Sequence, residues 1–336
     1  MENNNTSAAP GGLIDVHIHA LPPAYVAAVE AAGGDPSGFP SPTWSPEAAV
    51  NSLDLSGASL GILSVSAPGV SIAGTGQEGR DLARALNTQL ASYATSDEYS
   101  SRLAFFGVLP DWQDVDGTLD EIDFLFSRQK LCKGVTIFTS YGSHLPSNLL
   151  FKPIWEKLNH HRALIFLHPT TLDITPRFIS GGFPQPVIDY PIATTRAAVD
   201  IILGGIMRDY ADIDIILSHA GGALPYLANR VECLLLNPAL AGMVGVSRED
   251  VRAGFGKFYF DTALSTSAAQ LGSLLSFTSS ERVLFGSDFP YAGREAIAAV
   301  LGQYRRFVEG DGRGGEIGPE VLRGNAVGLL GRHGHR

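Results

Sequence analysis

About eight short apolar, β-branched runs recur along the chain, each separated from the next by enough residues for a helix. They are Leu13 to Val16, Leu60 to Ser66, Leu103 to Leu109, Gly134 to Phe138, Ala163 to Leu167, Ile213 to Leu217, Lys257 to Phe260 and Arg282 to Phe285. Between them, apolar residues fall three and four apart, as in Leu82, Leu86, Leu90 and Tyr93, or Ile122, Leu125 and Phe126, the period of a helix with one buried face. Ser45-Pro46-Glu47 reads as a helix start, with a serine cap, a proline at the first helical position and an early acid. Strand and helix alternating to the end imply a parallel sheet covered by helices. A count near eight, with strands this short, favours a closed (β/α)8 TIM-type barrel over an open doubly wound sheet.

The 336 residues fit one such barrel. Residues 1–12 are expected to be a disordered tail and residues 13–332 a single domain. Two connections rich in Pro and Gly, Ala20 to Pro42 and Pro169 to Tyr190, are long enough to act as lids or binding loops. A formal net charge of −10 without any Lys/Arg cluster argues against a nucleic-acid or anionic-membrane partner, because counterion release needs basic patches. A small ligand remains. No apolar run approaches the roughly 20 residues of a spanning helix, and Met1 to Gly12 is polar without a basic leader, so a cytoplasmic location is expected. Cys132 and Cys233 form no CxxC pair and are expected on or beside buried helical segments, as small hydrophobes.

Five side chains able to bind metal or move protons fall at or just past predicted strand ends: His17, His19, His168, His219 and Asp288. A barrel gathers the C-terminal ends of its strands at one mouth, so residues far apart in sequence are expected to meet there. His17 and His19 are two apart, which on an extended strand sends both imidazoles to one face. Three imidazoles and a carboxylate form an N/O donor set suited to Zn²⁺, with Mn²⁺ the alternative, and leave a coordination position open. His144, His160, His161, His333 and His335 read as solvated surface.

Four motifs carry a resemblance: Asp15 to Ala20 (DVHIHA), Leu167 to Thr170 (LHPT), Ser218 to Gly222 (SHAGG) and Leu284 to Tyr291 (LFGSDFPY). Thr194-Thr195-Arg196, Asn325-Ala326 and Leu329-Leu330 add minor marks. Over almost its whole length the chain resembles the amidohydrolase superfamily. More narrowly, it resembles the branch of aminocarboxymuconate-semialdehyde decarboxylase and the aromatic-acid decarboxylases, including fungal enzymes of the 6-methylsalicylate and orsellinate type. The resemblance implies that His17, His19, His168 and Asp288 hold a divalent metal while His219 acts beside it. Binuclear members carry a bridging lysine at the end of the fourth strand. Gly134 to Ser140 contains none, which implies one metal per subunit. Arg230, eleven residues after His219, matches an arginine that reaches the neighbouring subunit's site, which implies a homodimer. The second substrate arginine of the semialdehyde decarboxylase has no counterpart, since Gly33 to Asp54 holds no basic residue. Trp44 and Tyr25 are aromatic instead. With Tyr291 they favour a flat aromatic monocarboxylic acid over a dicarboxylate.

The expected reaction is therefore non-oxidative decarboxylation of a hydroxylated benzoic acid, 6-methylsalicylate-like, to the phenol and CO₂. Cleavage requires protonation of the ring carbon that bears the carboxylate, so a proton donor must stand over the ring face. Asp288, having taken the phenolic proton, is the favoured donor, and His219 orients the carboxylate. The alternative is a metal-dependent hydrolase of a lactone or amide, with His219 as base.

Overall fold

The apolar runs form the strands that their composition favours. In the computed structural model, which describes residues 11–171 and 175–333, they become β1 Leu13–Ala20, β2 Ala58–Val65, β3 Leu103–Gly107, β4 Cys132–Phe138, β5 Leu164–His168, β6 Asp214–Leu217, β7 Tyr259–Asp261 and β8 Val283–Leu284. Neighbours pair in parallel and in chain order. Isolated bridges Asp15 to Phe285 and Ile18 to Phe289 close the seam between β1 and β8. There the His19 amide donates to the Phe289 carbonyl at 2.7 Å and the Val16 amide to that of Phe285 at 3.0 Å. The chain forms the expected (β/α)8 barrel. The expected tail lies, up to residue 10, outside the described residues, as does His335.

Two apolar layers hold the barrel. Ile14, Val16, Ile62, Ala104, Phe106, Leu164, Phe166, Ile216 and Leu284 fill its interior, and Ala326 and Leu329 of the last helix, Pro319–Arg332, plug its foot. The outward faces of the strands, such as Leu63, Ile137, Ile165 and Leu217, pack against the helices. Asn325 on the last helix donates to the carbonyls of Ser280 and Val283, fastening the plug to β8. Helix Pro46–Ser56 begins as expected: the Ser45 hydroxyl accepts from the Ala48 amide at 3.0 Å, and Gly57 ends the helix at φ 73°.

One irregularity in β1 matters for the site. Its pairing with β2 shifts between Asp15 and Ile18. Val16 belongs to the interior and Ile18 to the outer layer, while the His17 ring lies 5.0 Å from that of Phe166 inside the barrel. The alternation thus slips by one residue, and both histidines follow Val16 inward.

Several expectations need correction. Ala20 to Pro42 is not plain loop: Pro23–Ala31 is helical, its alanine-rich sequence a good helix former with Tyr25 and Val29 buried one turn apart. Pro169 to Tyr190 contains a small hairpin, Phe178–Ile179 against Phe183–Pro184, and the start of helix Pro186–Leu203. Cys132 is buried in β4, in the layer that packs against the helices, whereas Cys233 is helical but exposed. His333 is not solvated surface; its ring sits 2.8 Å from Asp214 and is 6% exposed. No described helix is long and apolar enough to cross a membrane.

Candidate active site and metal centre

The closing seam of the barrel builds the site. The Asp288 amide donates to the His17 carbonyl at 2.9 Å, which anchors the segment after β8 to β1. A left-handed backbone at Asp288, φ 64°, then turns its carboxylate inward. Asp288 Oδ1 lies 3.2 Å from Nε2 of both His17 and His19, and those two nitrogens are 3.2 Å apart. His168, the last residue of β5, brings its ring centroid to 4.7 Å from that of His19 and 5.2 Å from that of His17. His219, just past β6 at φ 55°, places its ring 4.9 Å from His17. Its side chain is the most exposed of the four histidines at 10%, with Nε2 3.9 Å from Asp288 Oδ2, and it shares a donor group with His17 and His168. All five residues singled out from the sequence meet.

These donors fit a divalent cation. Two N/O ligands about 2.0–2.2 Å from one ion sit roughly 3–3.5 Å apart, the separation seen here. The orientation of the rings agrees. His17 Nδ1 lies 2.8 Å from Asp261 Oδ2 and His168 Nδ1 2.8 Å from the Pro169 carbonyl, so each ring donates backward and turns Nε2 toward the centre. Two donor groups can be drawn, His17 with His168 and His219, and His17 with His19 and Asp288. Both share His17 and so describe one centre.

The electrostatics point the same way. Burial alone would raise the Asp288 carboxyl, but hydrogen bonds from His17, His19 and His219 hold it well below the usual carboxylate range. Burial lowers His19, and lowers His168 well below the ordinary imidazole value. Against the same burial, Asp261 and Asp288 push His17 up to about 10. Negative charge exceeds what one neutral imidazole can answer, and a cation would displace that proton. Beneath the centre, burial raises Asp15 to about 7, although the His17 and Ser287 amides both donate to it.

Above the centre opens a cavity of about 370 Å³. His19, His168, His219 and Asp288 form its floor; Tyr190, Tyr291, Phe39, Val187 and Leu264 are among its walls. Tyr291 meets the edge of His19 and Tyr190 that of His168, at 5.3 and 6.1 Å between centroids. Among the described residues no Lys or Arg lines this cavity. Trp44 is not brought there: it packs on Tyr93, 5.7 Å away. Tyr25 is buried below, donating to the Ala67 carbonyl at 2.8 Å. Arg230 projects from helix Leu224–Leu234 as an exposed side chain, outside this chain's own cavity.

Asp261 was not anticipated. Besides His17, it accepts from the His219 amide at 3.0 Å and the Ala263 amide at 2.9 Å, so one carboxylate positions two site histidines. Its signal was present, since an acid at the end of the seventh strand satisfies the rule that found the others. Asp35 and Tyr190 had no such signal; Asp35 comes from a connection and Tyr190 from the first turns of helix Pro186–Leu203.

Residues 14–331 match the amidohydrolase family. A 6-methylsalicylic acid decarboxylase of Penicillium expansum is 40% identical over 286 residues, 84% of this chain and 86% of that protein. A 6-methylsalicylic acid decarboxylase of Aspergillus aculeatus is 38% identical over 324 residues, 95% and 96% of the two chains. Among solved structures, a dihydroxybenzoic acid decarboxylase from Polaromonas sp. JS666, with bound manganese and the inhibitor 2-nitroresorcinol, superposes with a TM-score of 0.74 at 21% identity, covering 96% of this chain and 97% of that one. With a family match across nearly the whole chain and relatives this similar over most of it, the protein belongs to the amidohydrolase family.

Proposed function

We propose that this enzyme is a metal-dependent carboxy-lyase that converts a 6-methylsalicylate-like hydroxybenzoic acid to the corresponding phenol and CO₂. The observation that carries the reading is the coincidence of two buried donor triads that share His17, one with His168 and His219 and one with His19 and Asp288, with an aromatic-walled cavity sized for a single substituted ring. The 6-methylsalicylic acid decarboxylases at 40% and 38% identity support the reaction.

His17, His19, His168 and Asp288 would hold the ion, Zn²⁺ by donor chemistry or Mn²⁺ as in the solved neighbour. When bound, it supplies a Lewis acid that stabilises negative charge growing on the phenolic oxygen. The chain's own groups do the rest. The Tyr190 and Tyr291 phenols are kept neutral by burial, both pushed above their usual range, and offer uncharged walls to the ring. Asp288, ionised at rest, takes the phenolic proton and returns it to the ring carbon as the bond to the carboxylate breaks. The electrons of that bond restore aromaticity, and the phenolate left behind takes a proton from water to leave as the phenol. His219, fixed through its amide by Asp261, holds the carboxylate. Because no Lys or Arg among the described residues lines the cavity, Arg230 of a second copy supplies the cation in a homodimer, its planar fork suited to a carboxylate.

The deciding experiment is metal analysis of the purified protein followed by incubation with a set of salicylates. About one divalent ion per subunit, CO₂ release and a phenol product are expected. Water uptake with a new acid and no CO₂ would assign a hydrolase instead.

A further inference from the structure

The proposed chemistry leaves one buried acid on the cavity wall unused. Asp35 is 9% exposed and lines the same cavity as the metal-centre residues, and it is in neither donor triad. Tyr291 and Tyr190 connect the two: each meets a floor histidine edge-on, and each feels the Asp35 charge, which opposes its ionisation. One Asp35 oxygen accepts from the Ser37 amide at 2.7 Å. Arg177 is the nearby cation, and it reaches the Asp35 backbone carbonyl rather than the carboxylate. Burial raises the Asp35 carboxyl, and hydrogen bonds from the Ser37 side chain and amide, with the Arg177 charge behind them, offset only part of it.

A buried carboxylate facing an aromatic-walled cavity has acceptor capacity left over. Leaving that capacity unmet costs free energy, whereas a hydroxyl brought by the ligand satisfies it. A second carboxylate on the ring would instead meet like charge.

We propose that Asp35 accepts a hydrogen bond from a ring hydroxyl on the edge remote from the metal centre. The site therefore prefers a ring with a second hydroxyl, of the 2,4-dihydroxybenzoate type, over one with the ortho hydroxyl alone, and rejects an added carboxylate. This deepens the decarboxylase reading and rests on it for the class of ring.

The test separates the two. Binding is measured by titration calorimetry on the metal-loaded enzyme with two phenols that cannot react further, 3-methylphenol and 5-methylresorcinol. They are the products expected from 6-methylsalicylate and its 4-hydroxy analogue. The wild type should favour the resorcinol by about 10- to 100-fold, the range of a hydrogen bond to a charged group. Asp35→Asn preserves the turn, because an amide oxygen can still accept from Ser37, yet should narrow the ratio several-fold. Asp35→Ala should bring it near unity. Equal binding by the wild type, a ratio unchanged in both variants, an equal loss for both phenols, or no binding of either would overturn the assignment. CO₂ release from the two parent acids tests the reaction independently: its absence, with the binding ratio intact, would sink the decarboxylase and leave Asp35 standing.

Discussion

Toward the mouth of the barrel, Asp15 Oδ2, His19 Nδ1, His219 Nδ1 and Thr262 Oγ1 are buried without a hydrogen-bond partner, whereas at the foot the first residue of β6, Asp214, gathers His333, Arg332 and Arg282 around one carboxylate. Backbone strain divides similarly. His219, Ala220, Leu264 and Asp288 have left-handed φ near the mouth; at the foot Arg162 does. Each such residue costs on the order of 1 kcal/mol or more. The foot also buries unpartnered atoms, Thr278 Oγ1 and Arg323 Nε, but it pairs its central carboxylate with three cationic side chains, whereas the mouth keeps imidazole nitrogens and strain beside the donor set for a ligand to use.

The largest expected break in this contrast comes from the floor of the mouth. His168→Ala should abolish both metal binding and CO₂ release, read by metal analysis and a turnover assay, because removing one imidazole opens the donor set. Two ions per subunit in the wild type would contradict a single centre. His219→Ala should keep the metal and lower kcat by roughly 10²–10⁴-fold, the range of a positioned proton-transfer or orienting group. Loss of metal along with activity would show His219 to be a ligand.

Asp261→Asn sharpens the comparison from behind the centre. It should weaken metal affinity by roughly 10–100-fold, measured by chelator competition, since the amide no longer fixes His17 as a carboxylate does. Unchanged affinity would reduce Asp261 to a backbone brace.

The smallest effect belongs to the foot and touches stability alone. Burial would raise Asp214, but His333 and Arg332 draw it below the usual carboxylate value. A lowered folded-state value stabilises the fold above the unfolded value near about 4 and is lost as the pH falls through it. Asp214→Asn should therefore cost about 1–3 kcal/mol at neutral pH in denaturant unfolding and flatten the acid limb, while turnover stays at the wild-type level. A drop in turnover without a drop in stability would blur the two ends.

The strands were legible because a fully buried strand must be apolar along its length, and each of the eight runs is. The metal set was legible because the barrel places strand ends together whatever lies between them, so His17, His168 and Asp288 could be joined without knowing the loops. Periodicity was a weaker guide where segments are short: helix Pro23–Ala31 buries only Tyr25 and Val29, too few to stand out within a Pro/Gly-rich connection.

What the sequence by itself determined was the parallel barrel and the identity of the donors, since both depend on residue type and position along strands. What only the tertiary structure decided was direction and neighbourhood. The slipped alternation in β1 that sends Val16 and His17 inward together, the backward hydrogen bond from His17 to Asp261, and the choice of Tyr190 and Asp35 over Trp44 and Tyr25 at the cavity all depend on contacts between segments far apart in the chain. Local spacing cannot encode them, because an aromatic or acidic side chain in a connection has no fixed face until the packed strands and helices give it one.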